Sequence, residues 1–342
     1  MTHVSRRARA VGAGLAAVAM LAVGLVALPD AQADDAAEVA LERARTATVR
    51  EDFSGIVQIE WLADGNWQIA RVPVTGEGGT VQVGKGNHKA EGSGDDRWIA
   101  SVSGWRVGWT QPVAGDAPSP AKHWKLAIAK GPQVAGRATD VVTATDPKTK
   151  EARLKVYVDQ NTGVMLRREV LDRRGEAVRS VGFVEVKKLG GARSAAPATP
   201  KAKNAAPKQL GSVPKGYDAP ARIGTRYALV GRYLRDDGTV QLYYSDGLFG
   251  ISLFEQRGSL DWNGLPRGGG GTAIGDDRGR DYEVAGGTVL VWEHGELTLT
   301  AVSDATVRDL QTFAVAFGQQ SGDDGGVVDD IADFVLGPFG FR

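Results

Sequence analysis

Val57-Gln58-Ile59-Glu60-Trp61-Leu62-Ala63-Asp64-Gly65-Asn66-Trp67-Gln68-Ile69 is the stretch on which the fold turns. Val57, Ile59 and Trp61 alternate with polar neighbours, a period of two that puts them on one face of a strand. Asp64-Gly65-Asn66 then supplies residues that tolerate positive φ, and Trp67 and Ile69 resume the alternation. This is a β-hairpin pattern.

The same rhythm spreads outward from Phe53 to Leu189. It recurs at Val81 and Val83, across Trp98 to Trp109, at Trp124, Leu126 and Ile128, and at Leu154, Val156 and Val158. Turns are expected at Asp159 to Gly163 and at Asp172-Arg173-Arg174-Gly175, with Phe183-Val184-Glu185-Val186 as the last strand. Ahead of the strands, Asp34 to Arg50 has candidate caps at Asp34-Asp35 and no Gly or Pro, and it reads as one helix. The first unit, residues 34–189, is therefore one helix with many antiparallel strands.

Residues 190–222 hold Pro197, Pro200, Pro207, Pro214 and Pro220 among Ala, Ser and Lys, the composition of a linker. A second unit is expected over 223–318. Tyr227, Leu229 and Tyr233 lead to Asp236-Asp237-Gly238; Val240, Leu242 and Tyr244 lead to Ser245-Asp246-Gly247; Phe249, Ile251 and Leu253 follow. A further hairpin turns at His294-Gly295. Ser303 or Asp304 is placed to cap a helix carrying Val307, Leu310, Ala314 and Phe317 at helical spacing. Residues 319–342, acidic and glycine-rich, read as a mobile tail. The fold class is mainly β (α+β), with a second, smaller antiparallel sheet and its one helix.

The first 33 residues read as an export signal. Arg6, Arg7 and Arg9 precede an uncharged apolar run from Val11 to Leu28, and Ala31-Gln32-Ala33 offers a peptidase its small residues. An uncleaved membrane anchor is the competing reading of that run, and Sec or twin-arginine export stays open. The place of action is then extracytoplasmic or periplasmic. Without any cysteine the chain has no disulfide, thiolate metal site, cysteine nucleophile or lipidated cysteine. Beyond residue 33, 38 basic residues stand against 40 acidic ones, a net charge near −2. No global field exists to hold nucleic acid.

Chemistry-bearing patterns are scarce. Beyond the signal the histidines are His88, His123 and His294, far apart and without metal-ligand spacing, so no metal and no cofactor is expected. Gly-x-Ser-x-Gly is missing, and Ser245 precedes a turn rather than a nucleophile elbow. Gly268 to Gly271 formally fits a dinucleotide string, but it follows Leu265-Pro266-Arg267 and opens no apolar helix; a surface loop is expected there. The protein is not expected to be an enzyme. Six of eight tryptophans, Trp61, Trp67, Trp98, Trp105, Trp109 and Trp124, fall in the first unit. They either fill its core or line a cavity for an acyl chain or apolar peptide on a curved sheet.

Two stretches carry a family likeness. Val156-Tyr157-Val158-Asp159 through Thr162-Gly163, Leu166-Arg167-Arg168 and Leu171-Asp172-Arg173-Arg174-Gly175 to Phe183 resembles the strand pair in the lipoprotein-carrier-like domain of RseB/MucB proteins. Leu242-Tyr243-Tyr244-Ser245-Asp246-Gly247-Leu248-Phe249-Gly250-Ile251-Ser252-Leu253 resembles a strand-turn-strand of the same proteins' C-terminal domain. The resemblance implies a LolA/LolB-like half-barrel followed by a smaller domain. It also implies an envelope-stress regulator that binds the extracytoplasmic part of a membrane anti-sigma factor, controls its proteolysis, and answers to acyl-lipid or lipoprotein ligands. A lipid or lipoprotein carrier of the envelope is the alternative. On that footing Trp61, Trp67, Trp98, Trp105 and Trp109 are candidate ligand-binding residues. Tyr243, Tyr244, Leu248 and Phe249 are candidate partner contacts, since aromatic residues beside a turn often anchor interfaces.

Overall fold

The computed structural model describes residues 30–77, 80–83, 118–191 and 208–320. Two antiparallel sheets and two long helices account for most of them, a mainly β α+β architecture. The first sheet is built from β1 (Phe53–Ala63), β2 (Asn66–Glu77), β3 (Thr80–Val83), β4 (Lys125–Lys130), β5 (Thr139–Thr145), β6 (Ala152–Asp159), β7 (Met165–Leu171) and β8 (Ala177–Leu189). Its order is β3-β2-β1-β8-β7-β6-β5-β4, open at both edges, with the first long strand paired to the last.

The founding hairpin forms as its sequence requires. Ala63 pairs with Asn66 across a two-residue loop in which Asp64 and Gly65 both have positive φ (49° and 74°). A two-residue turn of that kind matches the right-handed twist of its strands. Helix α1 (Asp30–Arg50) starts four residues before the expected Asp34 and lays Ala37, Leu41 and Ala44, one helical stripe, onto the sheet. Alanine at two of these positions lets the helix approach closely. Asp34 Oδ1 accepts the Leu126 N–H of β4 at 3.0 Å, and Arg43 Nη2 donates to the Gln160 and Asn161 carbonyls in the β6–β7 turn.

The second sheet contains β9 (Lys208–Gln209), β10 (Arg222–Ile223), β11 (Tyr227–Leu234), β12 (Val240–Ser245), β13 (Gly250–Arg257), β14 (Gly270–Ile274), β15 (Asp277–Val284), β16 (Gly287–His294) and β17 (Leu297–Ser303). Its nine strands run β10-β11-β12-β13-β17-β16-β15-β14, with β9 added on β11. Part of the stretch expected as linker is therefore paired into the sheet: Lys208 and Gln209 pair with Leu234 and Tyr233, and Arg222 pairs with Ala228. The glycine run differs from the surface loop expected. Gly268 and Gly269 turn with positive φ, and Gly270-Gly271 then pair with Asp281 and Arg280 as the start of edge strand β14.

Helix α2 (Val307–Gly318) closes the chain's described part. Thr306, rather than Ser303 or Asp304, is its N-cap, in a capping box with Asp309. Ser303 instead accepts the Ala305 N–H, and Asp304 is engaged elsewhere. Leu310, Phe313, Ala314 and Phe317 are buried, and Phe313 meets Tyr227 and Tyr244 with ring centroids 5.5 and 5.3 Å apart.

The two units do not stand apart. One continuous buried cluster runs from Ala37, Leu41, Leu126 and Leu154 of the first unit to Tyr244, Phe249, Leu253 and Phe313 of the second.

Candidate functional site

The seam between the sheets gathers charged and aromatic side chains, and the β12–β13 turn is its centre. Asp246 Oδ1 accepts the N–H groups of Leu248 (2.9 Å) and Phe249 (2.7 Å), and the Ser245 hydroxyl accepts the Gly247 N–H at 3.0 Å. These are the local bonds that make Asp and Ser turn formers. Gly247 has φ of 93°, and a Cβ there would lie 2.6 Å from the Pro118 carbonyl oxygen and 2.8 Å from Pro120 N. Glycine is needed for the backbone conformation and for the close approach to the other unit.

This turn drives Leu248 and Phe249 into the first unit. The Phe249 ring lies 5.6 Å from that of Trp124, tilted by 54°. Arg168 of β7 places its guanidinium 5.2 Å from the Phe249 centroid, donates to the Leu248 carbonyl at 3.2 Å and pairs with Asp304. Arg153 of β6 donates to Asp309 at 2.7 Å and to the Thr306 hydroxyl at 3.4 Å, so it holds the capping box of α2. Arg179 of β8 donates to the Val284 and Ala285 carbonyls at 2.6 and 3.0 Å. In the reverse sense, Arg226 of the second unit donates to Asp146 at 2.5 Å and lies 4.4 Å from the Trp124 centroid.

The charges sort by side. The first unit brings Arg153, Arg168, Arg179 and Asp146; the second brings Asp304, Asp309, Asp246 and Arg226. Burial is the largest influence on several of them. It holds Arg179 down to about 10 against the opposing pull of Asp304 and Glu283, and it pushes Asp246 up to about 6 despite two main-chain N–H bonds and Arg226. Asp146 falls below the usual carboxylate range: burial works against this, and the Arg226 and Lys148 hydrogen bonds overcome it.

The four residues expected to meet a partner sit inside this seam or beside it. Tyr243, Tyr244, Leu248 and Phe249 are all at most 9% exposed. Tyr244 donates to the Pro220 carbonyl, while Leu248 and Phe249 contact the first unit. The aromatic anchor is thus intramolecular in this arrangement, and another protein reaches it only when the units separate.

Of the tryptophans expected to line a pocket, the two within the described residues, Trp61 and Trp67, lie on opposite faces of the first sheet. Trp61 pairs with Arg179 and Gln68, so it is half-buried on the face that β1 turns toward Val57 and Ile59. Trp67 pairs with Leu62, one residue out of phase, and lies on the opposite face, 51% exposed beside Ile69 at 53%. Trp98, Trp105 and Trp109 lie outside the described residues, as do His88 and the apolar run 11–28. Trp124 is at the seam. His294 Nδ1 meets Asp277 at 3.0 Å near the end of α2, a pairing the hairpin pattern did not disclose. Among the described residues no three His, Cys, Asp or Glu side chains converge as a metal site, and no helix is long and apolar enough to cross a membrane.

The residues that sequence reasoning missed are Arg153, Arg168, Arg179 and Arg226. Arg168 lies within the first family-like segment, which was the one signal available; no local pattern marks the acidic partners at Asp304 and Asp309.

No protein-family model and no curated protein matches the chain. Among solved structures it is similar to MucB, to the complex of Pseudomonas aeruginosa MucA/MucB, and to MucB in complex with MucA(peri), each at 17% identity over 82% of this chain and 97% of the other. The TM-scores are 0.45, 0.43 and 0.43 respectively.

Proposed function

We propose that the protein is an extracytoplasmic regulatory binding protein that recognises the outer domain of a membrane-anchored anti-sigma factor and controls its proteolysis. One observation carries this reading: the two segments that resemble RseB/MucB proteins, far apart in sequence, touch each other. Arg168 of the first donates to the Leu248 carbonyl of the second and covers its Phe249 ring. A carrier needs one ligand-holding sheet. A second sheet docked through paired charges suits a protein that reports the state of one unit through the other.

Capture on the immobilised protein from detergent-solubilised envelopes, followed by mass spectrometry, tests the proposal. The expected partner is a single-span protein with a sigma-factor-binding cytoplasmic domain. Recovery of no such protein, in resting or stressed envelopes, contradicts it.

The envelope carrier for acyl lipid or lipoprotein is the second reading, and exposed Trp67 and Ile69 on the outer face of β2 favour it. It requires saturable binding of a fluorescent fatty-acyl probe by delipidated protein, weakened in Trp67→Ala; a protein without that affinity is not a carrier.

A further inference from the structure

Helix α2 has one side turned inward and one left open. Leu310, Phe313, Ala314 and Phe317 are buried, whereas Val307, Arg308, Gln311, Thr312 and Val315, a stripe at helical spacing, line a groove of about 570 Å³. Val307 and Val315 are half-buried, and Arg308 and Thr312 are exposed. Gln311 Nε2 donates to the Thr272 hydroxyl at 2.6 Å, which puts the groove on the flank toward edge strand β14, away from the Asp309 that Arg153 holds. The Arg308 guanidinium forms no ion pair among the described residues.

The sequence that follows α2 carries a matching surface. Ser321-Gly322-Asp323-Asp324-Gly325-Gly326 are turn formers, and in residues 327–336 Val327, Val328, Ile331, Phe334 and Val335 fall on one helical stripe with Asp329, Asp330 and Asp333 off it. Asp329 and Asp330 fall in the first turn, where acids are favoured, and Gly337-Pro338 is a helix stop. A helix this short is marginal in water by itself and takes its order from an apolar surface. From Gln320 to Val327 the chain spans at most about 25 Å, enough to reverse onto a neighbouring helix axis about 8–10 Å away.

We propose that residues 327–336 dock into this groove of their own chain as a helix antiparallel to α2, joined to it through the 321–326 turn. Both helices rise about 1.5 Å per residue. With Val327 level with Val315 at the turn end, Asp333 and Phe334 therefore come level with Arg308 at the other end. Phe334 then covers the Val307 end of the groove, and Asp333 meets the Arg308 guanidinium. The charges suit each other: residues 321–342 hold five aspartates and one arginine, and the groove's one ionic group is Arg308. The tether keeps the segment at a local concentration on the order of millimolar, so a modest contact area is sufficient. Docking of the tail and capture of an anti-sigma partner succeed or fail separately.

The test is amide hydrogen exchange of the purified protein, read by mass spectrometry over a range of protein concentrations. Amides 328–336 are expected to exchange about tenfold or more slowly than in a structureless chain of the same sequence, equally at every concentration. Val315→Asp and, on the tail itself, Ile331→Asp are expected to abolish this protection while leaving that of β16 and β17 intact. Arg308→Glu is expected to weaken it, and Arg308→Glu combined with Asp333→Arg to restore it. Exchange of these amides at the structureless rate overturns the proposal, as does protection that Val315→Asp and Ile331→Asp leave unchanged. Protection that vanishes on dilution assigns the groove to a second copy of the chain and overturns it too.

Discussion

Asp246 shows how one residue does two jobs at the seam. Its Oδ1 organises the turn while Oδ2 is buried without a hydrogen-bond partner among the described residues, and burial raises the carboxyl to about 6 from an ordinary 3.8. A carboxyl raised on folding favours the protonated folded state, so its contribution to stability declines as pH rises from about 4 to about 6 and stays low above that. Asp246→Asn keeps the Oδ1 acceptor and removes the charge. Urea unfolding at pH 4.5 and 7 is expected to show that the variant lacks this decline, gaining about 1–3 kcal/mol relative to wild type at pH 7; an unchanged pH dependence contradicts the assignment. Gly247 next to it admits no Cβ, so Gly247→Ala is expected to lower stability by about 2 kcal/mol or more through strain and displacement of the Pro118–Pro120 loop, read by the same unfolding curves. Ser245-Asp246-Gly247 announced a turn in the sequence. What it was pressed against was invisible, because Pro118 and Pro120 lie more than a hundred residues earlier.

At the level of elements, legibility followed local chemistry. The β1–β2 hairpin and the turns at Asp159 to Gly163 and Asp172 to Gly175 form where small polar residues and glycine interrupt a period of two, and helix α1 forms over the run without Gly or Pro, with Asp34-Asp35 inside it rather than at its cap. Strand β5, Thr139–Thr145, is hard to see in the sequence, because its inward face carries only Val142 and Ala144 as fully buried apolar residues. The sequence of strand β14 reads as loop because glycine weakens any strand signal; pairing to β15 rather than propensity makes it a strand. The α2 cap lies two or three residues beyond the Ser303 or Asp304 that the sequence suggests, because Ser303, Asp304 and Thr306 are all competent caps and the choice is made by Asp309 three residues after Thr306. Thr306→Ala is expected to cost about 1 kcal/mol from the cap alone and to loosen Arg153, which also donates to this hydroxyl. A loss of thermal stability larger in Thr306→Ala than in Thr312→Ala, an exposed position on the same helix, checks it.

For the whole molecule, the decisive feature is the ionic seam, and no local pattern predicts it. Two units on a Pro-rich tether suggested independent bodies; instead charges of opposite sign face each other across a shared core. Arg168 is 6% exposed and Asp304 17%, so removing one partner strands the other. Arg168→Ala is expected to destabilise by about 3–5 kcal/mol, whereas Arg168→Met combined with Asp304→Leu recovers most of that loss. Equal unfolding midpoints for the single and double variants would show that desolvated charge is not what the seam depends on. The cost of burying these ions also makes the docked state one that a ligand or partner can shift, since paired charges specify an interface without adding much net stability.

In the proposed role, this docked pair of sheets guards the outer domain of a membrane-anchored partner from proteolysis. The most direct measurement is the rate at which an envelope protease cleaves that outer domain in membranes, with and without the purified protein, and with Arg168→Ala. Slowed cleavage with wild type, and a weaker effect with the variant at equal concentration, is the result predicted. A cleavage rate unchanged by the wild-type protein at saturating concentration would contradict it.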